Sequence, residues 1–217
     1  MIEISAFNWV PPFAEGYVRD LRVRWALEEA GLPYRAELIG HDIKETPGYR
    51  AWQPFGQVPA FRDSQIEMFE SGAIVLHLAE RSEVLAPRDA AGRARMTTWV
   101  LAALNSIEPH VQNLVHLDAF HAGEAWTVER RPQVEAMLGK RLEALAGWLG
   151  DKEHLEGRFT AGDLMMTSVL RELIDSGVLA RFPTLDGYRR RCEARPAFVK
   201  ALADQLAPFA ATAPATA

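Results

Sequence analysis

Phe55-Gly56-Gln57-Val58-Pro59-Ala60-Phe61, followed after a short hairpin by Phe69-Glu70-Ser71-Gly72-Ala73-Ile74, is the stretch on which the fold turns. A strand start carries a proline where a ladder N–H is expected, a placement that demotes a strand or marks a cis bond. The second piece ends a strand with Glu-Ser and opens directly into an apolar helix, which sets unpaired backbone N–H groups beside a carboxylate and a hydroxyl. Together the two pieces read as a binding edge for something peptide-like.

Upstream, Ile2 to Phe7 alternates at its start as a half-buried strand does. Asn8 to Gly16 holds Pro11, Pro12 and Gly16 and makes a loop longer than the usual strand-to-helix connection, a kind of loop that often carries function. A helix is expected from Tyr17 or Val18 to Ala30. It has two apolar stripes, Val18, Leu21 and Trp25 on one and Val23, Ala26, Leu27 and Ala30 on the other, so both faces are expected to be covered. Gly31 suits a left-handed cap, and Pro33 prevents continuation. Tyr34 to Ile39 is a second strand, parallel to the first through a right-handed crossover. A short helix around Tyr49 to Gln53 precedes strands at Val58 to Arg62 and Ile66 to Phe69, joined by Asp63-Ser64-Gln65, and a helix follows from Ser71 to Arg81. The order is β-α-β-α-β-β-α.

Downstream of a linker at 83–89 only helical periodicity remains. Asp89 is placed to cap a long helix running through Ile107, with Pro109 as a kink point. A second helix spans roughly Thr127 to Leu149 and ends at Gly150. Thr160 and Asp163 form a capping-box pattern ahead of the apolar run Leu164 to Ile174. Helices at Pro183 to Ala194 and Pro196 to Leu206 close the chain, and the small-residue segment 210–217 is expected to be disordered. The fold class is α/β plus all-α: residues 1–82 as one domain, and 90–217 as a helical one.

The sequence of 217 residues, 48% hydrophobic and 24% charged, has an ordinary globular composition. A net charge of −5 argues against a dedicated nucleic-acid binder. Cys192, the single cysteine, excludes an internal disulfide and any Cys-x-x-Cys motif, which fits a reducing cytoplasm. No signal peptide or membrane span is apparent, and His110, His116 and His121 match no helical metal pair, so neither membrane nor metal is expected.

Four pieces in order, Leu21 to Tyr34, Gly56 to Phe61, Glu70 to Ile74 and Phe159 to Asp163, give the chain its resemblance to the cytosolic glutathione S-transferases, with a thioredoxin-like first domain and an all-helical second. The resemblance implies glutathione as co-substrate, an apolar electrophile as its partner in the reaction, and a homodimer. It also implies site residues. Val58, before Pro59, pairs with the cysteinyl backbone of glutathione; Ser71 receives the γ-glutamyl carboxylate and Glu70 the γ-glutamyl ammonium; Gln57 and Lys44 meet the glycyl carboxylate. A thiol with a pKa near 8.5 is only about 3% thiolate at pH 7, and lowering that pKa by ~2 units takes roughly 2.7 kcal/mol of preferential thiolate stabilisation. The position of the serine-type hydroxyl falls on Tyr17 and that of the cysteine-type thiol on Arg19, while the tyrosine-type position falls near Phe13, which has no hydroxyl. Tyr17 and Arg19 are therefore the candidates for activating the thiol, and Trp9 and Phe13 for walls of the substrate pocket. Members with isomerase, dehalogenase or peroxidase activity, and non-catalytic binding modules, share the same pattern.

Overall fold

The computed structural model describes residues 1–212. Its sheet has the order β2-β1-β3-β4, built from β1 (Ile2–Phe7), β2 (Tyr34–Ile39), β3 (Ala60–Arg62) and β4 (Glu67–Phe69). β1 and β2 run parallel from Ile2 opposite Tyr34 to Phe7 opposite Ile39. β1 and β3 are antiparallel with Ile4 opposite Phe61, as are β3 and β4 with Phe61 opposite Met68. The central position of β1 explains why Ile4, Ser5 and Ala6 are all buried. β3 begins at Ala60 rather than at the expected Val58, because Pro59 has no N–H to give to a ladder. At the hairpin, Asp63 accepts from the Gln65 and Ile66 amides, at 2.9 and 3.1 Å, and from Arg81 at 2.7 Å. The Arg81 bond, followed by the amides, holds the Asp63 carboxyl down at about 2.

Helix α1 (Asp20–Ala30) is buried from Asp20 through Leu27, on the charged residues as well as the apolar stripes. It starts later than expected. A 3-10 turn at Pro12–Ala14 and a left-handed Gly16 (φ +79°) keep Glu15 to Arg19 out of the helix, with the Tyr17 amide bonded to the Ala14 carbonyl. At the other end Gly31 is left-handed (φ +64°), its amide reaches Glu28 and that of Leu32 reaches Leu27, closing both orphan carbonyls. Helix α2 (Pro47–Trp52) covers one part of the sheet, where Ile39, Tyr49, Trp52, Val58 and Ala60 make a buried cluster joined by Phe7 and Val18. Helix α3 (Ser71–Ala79) packs against α1.

Packing divides the chain into a first unit, Met1–Leu85 together with the chain from Arg195, and a second, Ala86–Ala194. In the second unit α4 (Ala90–Ala102) is capped by Asp89, which accepts from the Gly92 amide at 2.7 Å. A π-helical segment, Ala103–Ile107, then leads into α5 (Glu108–Phe120). The wider turn lies directly ahead of Pro109, whose ring and missing N–H are incompatible with a regular α-turn. Helices α6 (Ala125–Leu149), α7 (Ala161–Arg171) and α8 (Pro183–Glu193) complete the unit. Gly162 lies close against α4: a Cβ there meets the Trp99 Cβ at 2.6 Å and the Met96 carbonyl at 3.4 Å. Gly162→Ala is therefore expected to cost about 1–3 kcal/mol by overpacking, read as a lower urea midpoint with an unchanged slope.

Helix α9 (Pro196–Thr212) packs along α1 within the first unit. The sequence reading groups this helix with the second region, because amphipathic periodicity reveals a buried face without naming its partner. The Phe198 ring meets Trp25 edge-on at 4.8 Å, and Arg195 pairs with Glu29 through two nitrogens at 2.5 and 2.7 Å. Because α9 continues through Thr212, the first residues of the expected disordered tail are helical, and 213–217 lie outside the described residues. Among the described residues no helix is long and apolar enough to cross a membrane.

Candidate functional site

The Val58–Pro59 peptide bond is cis. Val58 and Pro59 are buried while Gln57 is exposed, and the Val58 amide and carbonyl have no hydrogen-bond partner among the described residues. The residues on either side are held firmly. Gln53, itself 3% exposed, accepts through Oε1 from the Phe55 amide at 2.7 Å and from the Gln57 amide at 3.2 Å. The Gln57 carbonyl accepts from the Tyr49 hydroxyl at 2.6 Å, and the Ala60 amide donates to Ser5 Oγ at 2.7 Å. Ser5 Oγ and Tyr49 Oη are themselves 2.7 Å apart, and Trp52 Nε1 donates to the Phe61 carbonyl at 3.0 Å. Burial raises the Tyr49 phenol above its ordinary value, against the Ser5 bond, so it stays a neutral donor. Gly56 is left-handed (φ +62°), and a Cβ there lies 3.0 Å from the Lys44 carbonyl and 3.2 Å from Arg50 Nη2. Only glycine fits this turn, which brings the Lys44 backbone beside the Gly56–Gln57 segment.

Ser71 is the first residue of α3 and is buried, and Glu70 before it is exposed in a positive-φ conformation (φ +69°) with no side-chain cap on the helix. A non-glycine residue held there costs of order 1–3 kcal/mol, a pattern that clusters at ligand clamps. The first-turn amides of α3 lack intrahelical acceptors and carry the positive end of the helix dipole. Arg22, 3% exposed on α1, donates from Nη1 to Ser71 Oγ at 3.4 Å. One turn earlier Val18 packs on the cluster that contains Val58. The segment from Val18, in the bend before α1, to Arg22 thus links the Val58 cluster to the α3 N-terminus, and an anionic, peptide-like ligand suits the pair.

The remaining candidates are spread more widely. Tyr17 is half-buried in the turn before α1, and Arg19 is exposed at the α1 N-cap. Lys44 lies in a 3-10 turn with its ammonium 3.7 Å from Glu45. Trp9 is half-buried with its carbonyl 3.2 Å from His41 Nε2, whereas Phe13 is 60% exposed. Sequence reasoning passed over Arg22, Ser5, Tyr49 and Gln53. An arginine on a helix reads as surface, and a serine in a strand or a tyrosine in a short helix carries no spacing signal. The hydroxyl of Ser5 between the apolar residues Ile4 and Ala6 is the one available hint.

The profile of the glutathione S-transferase N-terminal domain matches residues 21–81. The glutathione S-transferase-like protein LUC7 of Fusarium sp is 32% identical over 157 residues, which span 65% of this chain and 68% of that protein. The disulfide-bond oxidoreductase YfcG of Escherichia coli K12 is 29% identical over 199 residues, 81% of this chain and 86% of the relative. A glutathione transferase of Burkholderia graminis, whose crystal structure holds two glutathione molecules per subunit, superposes with a TM-score of 0.81 at 26% identity, over 93% of this chain and 87% of its own. A thioredoxin-like sheet unit, a helical unit, and relatives matched in both sequence and structure agree: this chain belongs to the glutathione S-transferase family.

Proposed function

We propose that the protein joins the sulfur of glutathione to an electrophilic carbon of an apolar substrate. One observation carries the reading: among the described residues the Val58 backbone stands unpaired between braced neighbours, and Val18, which packs on the cluster that holds Val58, lies just ahead of the helix whose Arg22 donates to Ser71 at the N-terminus of α3. Val58 takes the cysteinyl unit as a one-residue strand addition, with Pro59 bordering it. Ser71 and the α3 amides receive the γ-glutamyl carboxylate, with the Arg22 guanidinium behind Ser71, and Glu70 takes the γ-glutamyl ammonium. Gln57 and Lys44 meet the glycyl carboxylate. Tyr17 donates a hydrogen bond to the thiolate or Arg19 stabilises it by charge, and Trp9 and Phe13 wall the electrophile. The thiolate attacks carbon and a C–S bond forms. The leaving group departs with its bonding pair, or in an addition the neighbouring carbon takes up a proton. The family and the single cysteine support a cytoplasmic homodimer that clears reactive electrophiles.

The test is calorimetric titration of glutathione, thiolate absorbance in the ultraviolet, and conjugation of a chlorodinitrobenzene. Wild type is expected to bind glutathione, to form thiolate near neutral pH and to turn over. Ser71→Ala is expected to weaken glutathione binding about tenfold, the loss of a charged-group hydrogen bond, and Tyr17→Phe to lose thiolate absorbance together with kcat. Unchanged turnover in Tyr17→Phe moves the role to Arg19. No binding at millimolar glutathione sinks the proposal. The likeness to YfcG favours a second reading, in which two glutathione thiols reduce a substrate disulfide to two thiols and leave as glutathione disulfide. Turnover of a small disulfide in place of the dinitrobenzene selects it.

A further inference from the structure

We infer that Ser5 and Tyr49 are positioning residues for the tripeptide, acting through the backbone of Val58; the inference rests on the glutathione reading above. Between them they make a relay with only one workable arrangement of protons. The Gln57 carbonyl can only accept, so the Tyr49 proton, 2.6 Å away, is committed to it. The Ser5–Tyr49 contact at 2.7 Å must then use the Ser5 proton. Ser5 is left to accept from the Ala60 amide, again at 2.7 Å. The direction runs from the Ala60 N–H through Ser5 and Tyr49 to the Gln57 carbonyl, and every member is satisfied. Ser5 and Ala60 are fully buried and Tyr49 is 6% exposed, so water does not compete for these bonds.

The relay spans three elements: Ser5 is on the central strand β1, Tyr49 on α2, and the two clamped groups flank Val58 and Pro59. With Gln53 Oε1 on the Gln57 amide and Trp52 on the Phe61 carbonyl, the backbone is fixed at Gln57 N, Gln57 O, Ala60 N and Phe61 O. Val58 alone in this segment keeps its amide and carbonyl uncommitted. A peptide pairing with one residue makes two bonds whose strength falls steeply with angle, so the orientation of that residue sets the affinity. Preorganisation of this kind acts on binding of the tripeptide and leaves the sulfur chemistry alone.

The experiment compares Tyr49→Phe, Ser5→Ala and the double variant with wild type. Ile4→Val serves as a control that loosens the same strand without touching the relay. Calorimetric Kd values are measured for glutathione and for S-methylglutathione, together with KM for glutathione, kcat and Tm. Each single variant is expected to raise both Kd values, and KM for glutathione, about tenfold, the size of one lost buried hydrogen bond, with kcat at saturating glutathione within about twofold. The double variant is expected to be little worse than either single one, because the relay acts as a unit. Ile4→Val is expected to lower Tm with both Kd values unchanged. Kd values equal to wild type in folded Tyr49→Phe and Ser5→Ala overturn the inference, as does a loss confined to kcat. If Tyr49→Phe does not fold, Ser5→Ala decides by the same criteria. Wild type that binds neither ligand overturns the glutathione reading and the inference with it.

Discussion

Asp163→Ala is expected to cost the protein about 4 kcal/mol, the upper end of what a single side chain contributes, and to lower its melting temperature by about 10 °C. The carboxylate is fully buried at the start of α7 and accepts four hydrogen bonds. Oδ1 takes the Leu155 amide at 2.9 Å and the Tyr188 hydroxyl at 3.0 Å; Oδ2 takes the Thr160 amide at 2.9 Å and the Thr160 hydroxyl at 3.1 Å. Alanine leaves those donors buried with no acceptor, at roughly 1–3 kcal/mol for each that finds no water. The same residue satisfies the helix terminus, the preceding loop and α8, so its loss reaches all three. Asp163→Asn keeps one acceptor oxygen and is expected to lose about half as much. Chemical denaturation of the three proteins at one pH checks the ordering, and equal midpoints for wild type and Asp163→Ala refute it.

Removing the cation buried at the other end of the molecule's charge inventory is expected to be as damaging. Arg24 pairs with Asp20 at 2.7 Å, where the two side chains are 4% and 1% exposed, and Gln205 of α9 adds a 2.7 Å bond to the other Asp20 oxygen. Arg24→Met keeps most of the volume but strands a buried carboxylate, at about 3–5 kcal/mol near neutral pH. Burial already pushes the Asp20 carboxyl up, and the Arg24 charge is the largest influence holding it down. Without Arg24 the carboxyl rises further. A folded-state carboxyl above its unfolded value means that the folded chain binds the extra proton, so the variant recovers stability as pH falls through that raised value towards about 4. The deficit is therefore expected to shrink on acidification and to reappear as pH rises. Asp20→Asn/Arg24→Met is expected to recover most of the loss at neutral pH, because no charge is then stranded. Urea unfolding of the three proteins at pH 4 and pH 7 tests both statements. A deficit independent of pH rejects the assignment to Asp20.

These two clusters show what the sequence makes legible. Thr160 and Asp163 are three residues apart, so their mutual capping is local and visible in spacing alone. The same holds for the Gly31 terminus, whose determining contacts lie within a few residues, and β1 and β2 show in local alternation although their pairing joins Ile2 to Tyr34. Asp20 and Arg24 instead read as the polar positions of an amphipathic helix. Their burial depends on α9, some 180 residues later, and no local pattern reports it. The proposed binding edge divides in the same way. Pro59, Ser71 and the helix behind it were readable because proline and an N-terminal serine carry positional meaning. Arg22, Ser5 and Tyr49 are not, because the contacts that tie Arg22 to Ser71, Ser5 to Ala60 and Tyr49 to Ser5 span 44 to 55 residues. The sequence puts Tyr17 at the opening of a helix, whereas the Pro12–Ala14 turn and the left-handed Gly16 put it in the turn before.

The packing of α9 on α1 also sets an order of events in the making of the protein. Trp25 and Asp20 receive Phe198 and Gln205 from a helix that begins at Pro196, after the whole of the second unit has been synthesised. At about 5–20 residues per second, on the order of ten seconds separate the appearance of the two halves of that interface on the ribosome. Throughout that interval the face of α1 that carries Trp25 and Asp20 lacks the helix that covers it. The first unit, begun before the second, is therefore finished after it.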